Sequence, residues 1–164
     1  MSTATAFALT TAAAVTSAAV GGIFYAFSTF VMRGLDRTDP VDAITAMRGI
    51  NAEAQANGPF LLLFFGAALL AIAVGVVGVV HIRQPGSGYL IAGAVLALVA
   101  VVVTVAFNIP LNNHLDTVDL AAVGPADAAR EWANYFSTWT AWNHVRTVAP
   151  LLGSVLMLVG LRYR

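Results

Sequence analysis

Residues 59–80 and 89–107 each run without a single charged side chain, and nothing else in this sequence narrows the fold as much. As a helix rising ~1.5 Å per residue, either run crosses a hydrocarbon core of roughly 30 Å. Lipid offers the backbone no hydrogen bonds, so runs of this kind span as helices. Residues 6–32 are also uncharged and read the same way. At the other end, the apolar tail 148–161 is about 14 residues, roughly 21 Å of helix, which is too short alone. A fourth span must therefore begin near residue 138. The expected fold is all-α: one domain, a four-helix transmembrane bundle with spans at about 6–32, 59–80, 89–107 and 138–161. The two long connections would build a helical cap.

Composition agrees and excludes several chemistries. The chain is 59% hydrophobic and 10% charged, against about half and a quarter in soluble domains. Net charge is zero, which gives no electrostatic case for a nucleic-acid partner. Cysteine and lysine are absent, which removes thiolate ligands, disulfides and Schiff-base chemistry. The apolar start is read as a retained span and not a cleaved signal, because no basic residue precedes it and the run continues through Phe24 and Phe27 to Met32. In this span Ala14, Ala18 and Gly22 recur every fourth residue, the spacing of a smooth stripe for close helix approach.

Local signals divide the connections. Asp39 before Pro40 is a helix start, and Ile44, Met47 and Ile50 then follow at helical spacing. Gly58-Pro59 interrupts this helix before the second span. The third span is expected to end at Asn108-Ile109-Pro110, where Asn108, Asn112 and Asn113 would satisfy freed carbonyls. Pro125 opens a helix that should run unbroken into the fourth span, with Pro150 inside it. Ser28 and Thr29 are expected to bond back to their own helix.

With four spans, both long connections lie on one side, and most of the chain's polar clusters gather there. The densest is WTAWNHVRT (139–147), whose His144 and Arg146 sit at or near membrane depth, where ionisable groups are functional candidates. Trp139, Trp142 and Arg146 share one helical face, Asn143 and Arg146 an overlapping one, and His144 lies about 100° from Asn143. A partly buried Arg146 needs a carboxylate, and Glu53 is the best-placed acid, with Asp116 and Glu131 as second choices. A second reading is a metal centre of His114, His144 and Glu53, since two histidines and a carboxylate can hold a transition metal. No ligand pair has the spacing that would support it. A third is a non-enzymatic membrane protein, a small-molecule binder or accessory, with an aromatic belt and helix caps at its polar end.

The segments GGIFYAFSTFVMRGL (21–35), MRGIN (47–51), NGPFLLLFFG (57–66), NIPLNN (108–113) and WTAWNHVRT together resemble the anthrone oxygenase-like family of small membrane proteins. The likeness covers essentially the whole chain, and NxPLN and WNHVRT are its most specific pieces. Asn108, Pro110, Asn112, Trp142, Asn143, His144 and Arg146 match the recurring motifs, whereas His114 does not. The resemblance implies oxidation of a planar, lipophilic phenolic substrate by molecular oxygen, with no cofactor. On that basis His144 is the expected base. Asn143 and Arg146 would stabilise an oxyanion, and Tyr25, Asn108, Asn112, Trp139 and Trp142 would hold the substrate. The partners implied are a lipophilic small molecule and the bilayer, and a homo-oligomer is compatible with such a bundle. Absence of lysine and abundance of Ala, Val and Gly point to a bacterial plasma membrane. A bare count, with Arg33, Arg37, Arg48, Arg130 and Arg146 on the long connections, would put those in the cytoplasm, but Arg83, Arg162 and Arg164 lie immediately beside span ends, where positive charge retains best, and point to cytoplasmic termini.

Overall fold

The computed structural model describes residues 3–164, all helices and short turns. In order these are α1 (Thr3–Ala26), a π turn (Phe27–Val31), α2 (Met32–Leu35), α3 (Pro40–Ala56), α4 (Gly58–Val80), α5 (Ser87–Val103), a second π turn (Thr104–Asn108), α6 (Ile109–Thr117) and α7 (Pro125–Arg162). Four continuous helical stretches are long and apolar enough to cross a membrane: Ala4–Leu35, Gly58–Val80, Ser87–Thr117 and Pro125–Arg162. They form a square in which α1 packs on α4 and α7, and α5 packs on the same two. The chain is an integral membrane protein built as a four-helix bundle.

Side-chain size runs the opposite way from a soluble bundle. Along α4 the exposed positions include Leu62, Phe65, Leu69, Ile72 and Val76, while the buried ones are Phe64, Ala67, Ala71, Val74 and Gly78, three of the five small. In lipid there is no gain from hiding large apolar groups, so small residues go where backbones meet. The tightest meeting is α5 on α7. A Cβ on Gly153 would lie 2.6 Å from the Gly93 carbonyl oxygen, and one on Gly93 would lie 2.7 Å from that of Gly153. Gly86, at φ +82°, starts α5 in a turn that only glycine adopts readily. On α1 the expected stripe is displaced. Gly22 is exposed with nothing near its Cβ position, and Gly21 makes the close approach, to Leu151 and the Thr147 carbonyl. Residues 14, 18 and 22 drift off one face because a helix turns 3.6 residues, not four.

The helix starts follow the sequence. Asp39 accepts a hydrogen bond from Val41 N at 2.9 Å and Asn57 accepts one from Phe60 N at 2.9 Å. The 38 residues of α7 make roughly 57 Å of helix, far beyond bilayer thickness. Its first half therefore stands clear of the bundle and carries the cap. There Met32, Ile44, Met47, Leu115, Trp132 and Tyr135 form a buried apolar cluster. Trp132 Nε1 donates to Asp36 at 2.9 Å, and Arg48 donates to the Leu115 carbonyl at 2.6 Å, satisfying the end of α6.

The third span does not stop at Asn108. Pro110 cannot donate to Ala106, and the backbone absorbs this through the π turn at Thr104–Asn108 and continues to Thr117. The amides therefore pair across helices instead of capping one. Asn108 Nδ2 donates to the Trp139 carbonyl at 3.2 Å, and Asn112 Oδ1 accepts from Tyr135 Oη and Trp139 Nε1, each at 2.9 Å.

Candidate active site

The two π turns flank one level of the bundle, and the polar residues of α7 meet them there. A π turn loosens the regular carbonyl ladder and is frequent at functional sites. Asn143, fully buried, donates from Nδ2 to the Phe24 carbonyl and to Ser28 Oγ, both at 2.8 Å. Ser28 Oγ also lies 3.0 Å from Thr147 Oγ1, which donates back to the Asn143 carbonyl at 2.9 Å. These contacts fix the amide so that Oδ1 faces Arg146, whose Nη2 donates to it at 2.7 Å. Arg146 Nη1 reaches Oγ1 of Thr104, the first residue of the second π turn, at 3.3 Å.

Arg146 is 5% exposed, and its guanidinium lies 4.3 Å from the Phe24 ring centre and 4.8 Å from that of Trp139. Its Nε has no hydrogen-bond partner among the described residues. The expected ion pair with Glu53 is not formed. Among the described residues no carboxylate lies within 4.0 Å of Arg146, and Glu53 Oε1 instead accepts from Asn57 Nδ2 at 3.4 Å. Both side chains line a space bounded by α3, α4, α6 and α7 and do not meet within it. A buried cation held by amide, hydroxyl and two π faces, without a counter-charge, is a costly arrangement.

That space is a cavity of about 730 Å³, within the usual range for small-molecule sites. It lies under α3, against α1, α4, the start of α6 and α7. Phe24, Phe27, Phe60, Phe64 and Trp139 give it aromatic walls. Arg146, Thr104, Asn51, Asn112, Asn113 and Glu53 are among its polar lining. Asn51 is buried with an unpaired Nδ2. Since Asn112 Oδ1 already takes two donors, only its Nδ2 is left for an occupant.

Of the sequence candidates, Asn112, Trp139, Arg146 and Glu53 line the cavity, and Asn143 stands directly behind it holding Arg146. Asn108 is buried as a tie to α7. Three others point elsewhere. Tyr25 is 55% exposed on the outer face of α1. Trp142 stacks on Phe107, ring centres 3.6 Å apart, outside the cavity lining. His144 is exposed on the outer face of α7, also outside that lining, so it does not sit as a base against the cavity. His114 pairs with Glu131 at 3.1 Å. Among the described residues no three His, Asp or Glu side chains group as metal ligands, so His114, His144 and Glu53 do not converge.

Sequence reasoning missed Ser28 and Thr104. Ser28 bonds across to α7 and not to its own helix, because the π turn rotates it inward. Thr104 did leave a signal, as the one hydroxyl inside the apolar run following Tyr89.

No curated protein and no solved structure matches the chain. A family model described as anthrone oxygenase matches residues 58–156, a stretch that includes α4, both Asn108 and Asn112, and Asn143 to Arg146. With more than half of its length matched, the chain belongs to the anthrone oxygenase family.

Proposed function

We propose that this protein oxidises a planar, lipophilic, enolisable phenolic ketone of the anthrone type with molecular oxygen, in the cavity beneath α3. The supporting observation is Arg146, a buried cation with no carboxylate within 4.0 Å among the described residues, facing an aromatic-walled space of about 730 Å³. A neutral occupant gains little from that cation. An occupant that becomes an anion gains a great deal, because the charge interaction operates away from water. An anthrone does this on losing a methylene proton: the electron pair spreads to the ketone oxygen and across the rings. That oxygen can accept from Arg146 and from Asn112 Nδ2, while the aromatic walls hold the rings. The delocalised anion is electron-rich enough to reduce dioxygen. Overall, one anthrone and one dioxygen give one anthraquinone and one water, so the reaction balances without a further reductant. The reading requires no resident metal or organic cofactor.

Oxygen uptake by the purified protein in nanodiscs with anthrone tests it. The expected result is one dioxygen consumed per anthraquinone formed, well above the spontaneous rate, with turnover unchanged by chelator. Uptake no faster than in empty nanodiscs would overturn it.

A further inference from the structure

The oxidation proposed above needs a proton acceptor, and His144 does not face the cavity. We infer that Glu53 is that acceptor, taking the substrate's acidic methylene proton while Arg146 receives the resulting oxyanion; this rests on the oxygenase reading.

Among the described residues, Glu53 and Arg146 are the only ionisable ones lining the cavity. Glu53 comes from α3 in the cap and Arg146 from α7 in the bundle, and the two are not in ion-pair contact. Oε1 of Glu53 accepts from Asn57 Nδ2, while Oε2 carries no hydrogen bond among the described residues. Opposite charges that share one cavity without touching leave room for a molecule between them. The transfer then proceeds without changing the cavity's net charge. The methylene C–H bond breaks and the proton forms an O–H bond on Glu53. The electron pair moves through the rings to the ketone oxygen, beside Arg146. Negative charge thus leaves the carboxylate at a distance from Arg146 and arrives next to it, and the attraction grows as the separation falls. Glu53 is also exposed, so the proton can pass on to water and the base is reset. Among the described residues no other cavity-lining side chain is a carboxylate or an imidazole.

The competing account makes Glu53 a solvated cap residue that merely steadies Asn57 at the start of α4. Proton exchange separates the two without requiring oxidation. The full-length protein in nanodiscs is incubated with anthrone in D2O under anaerobic conditions, and deuterium at the methylene is followed by NMR. The variants are Glu53→Gln and Glu53→Asp, with His144→Gln as the comparison. Wild type and His144→Gln should exchange alike. Glu53→Gln should lose about 100-fold or more of the catalysed exchange, as for loss of a general base, while still binding anthraquinone. Glu53→Asp should retain part of the exchange. Should Glu53→Gln fail to fold, Glu53→Ala is used with added formate, which is expected to restore exchange. Near wild-type exchange in Glu53→Gln, or in Glu53→Ala without formate, would overturn the assignment while leaving the oxygenase reading intact. Absence of exchange and oxidation by the wild type would instead overturn that reading, and this inference with it.

Discussion

Replacing Arg146 by Met should separate stability from activity. The guanidinium loses its bond to Asn143 Oδ1 at 2.7 Å, a longer one to Thr104 at 3.3 Å, and two aromatic contacts at 4.3 and 4.8 Å. A hydrogen bond to a charged group contributes about 1.5–3 kcal/mol, and each desolvated cation–π contact ~1–2 kcal/mol. Against this stands the desolvation of a cation with no carboxylate beside it, several kcal/mol. A Met side chain also recovers sulfur–aromatic contacts on Phe24 and Trp139 of about 0.3–1.5 kcal/mol each. These terms nearly cancel, so the ligand-free protein should change by no more than about 1 kcal/mol. At ~2–4 °C per kcal/mol for a chain of this size, that is at most roughly 4 °C in detergent, measured by tryptophan fluorescence. Anthrone turnover should fall about 100- to 1000-fold, as when a preorganised oxyanion donor is lost. Had Arg146 a carboxylate partner, the same change would strand a buried charge at a cost of about 3–5 kcal/mol, a drop of roughly 6–20 °C. A drop of that size would refute the reasoning, as would unchanged turnover in a stable variant.

Asn143→Leu should behave differently, because it strips Arg146 of its closest partner and removes the amide's donation to the Phe24 carbonyl and to Ser28, which keeps only Thr147. A loss of about 2–4 kcal/mol is expected, and Asn143→Leu/Arg146→Met should be more stable than Asn143→Leu alone by thermal melting. Gly153→Val places atoms against the Gly93 carbonyl oxygen, 2.6 Å from the new Cβ; it should cost about 1–3 kcal/mol or more, seen as a lower melting point or aggregation on size-exclusion chromatography. Orientation is open to cysteine labelling in a chain that has none. Ser87 is buried by its bonds to the His81 carbonyl and Arg164, so the exposed Gln84 is the better position. If the termini are cytoplasmic, an impermeant maleimide applied to intact cells should label Ala122→Cys and not Gln84→Cys; the reverse pattern would invert the topology.

The sequence by itself determined the all-α class, four spans and the helix starts, because these depend on local chemistry. A run without charges must span as a helix wherever it lies in the chain, and Asp39-Pro40 and Asn57-Gly58-Pro59 start helices through neighbouring atoms. It also located the polar stretch 139–147 at the right end of the fourth span. Tertiary structure decided which of its side chains face inward. Helical spacing relates Asn143, His144 and Arg146 to one another, but the sector that meets the bundle is set by α1, α5 and their π turns. That choice turned Asn143 and Arg146 inward and His144 outward, and it brought Ser28 to a helix more than a hundred residues away. The Glu53–Arg146 pairing failed for the same kind of reason. Shared depth along the bundle was readable from topology, whereas the cavity lined by the two charges depends on how α3 packs against α4, α6 and α7, which no local signal carries.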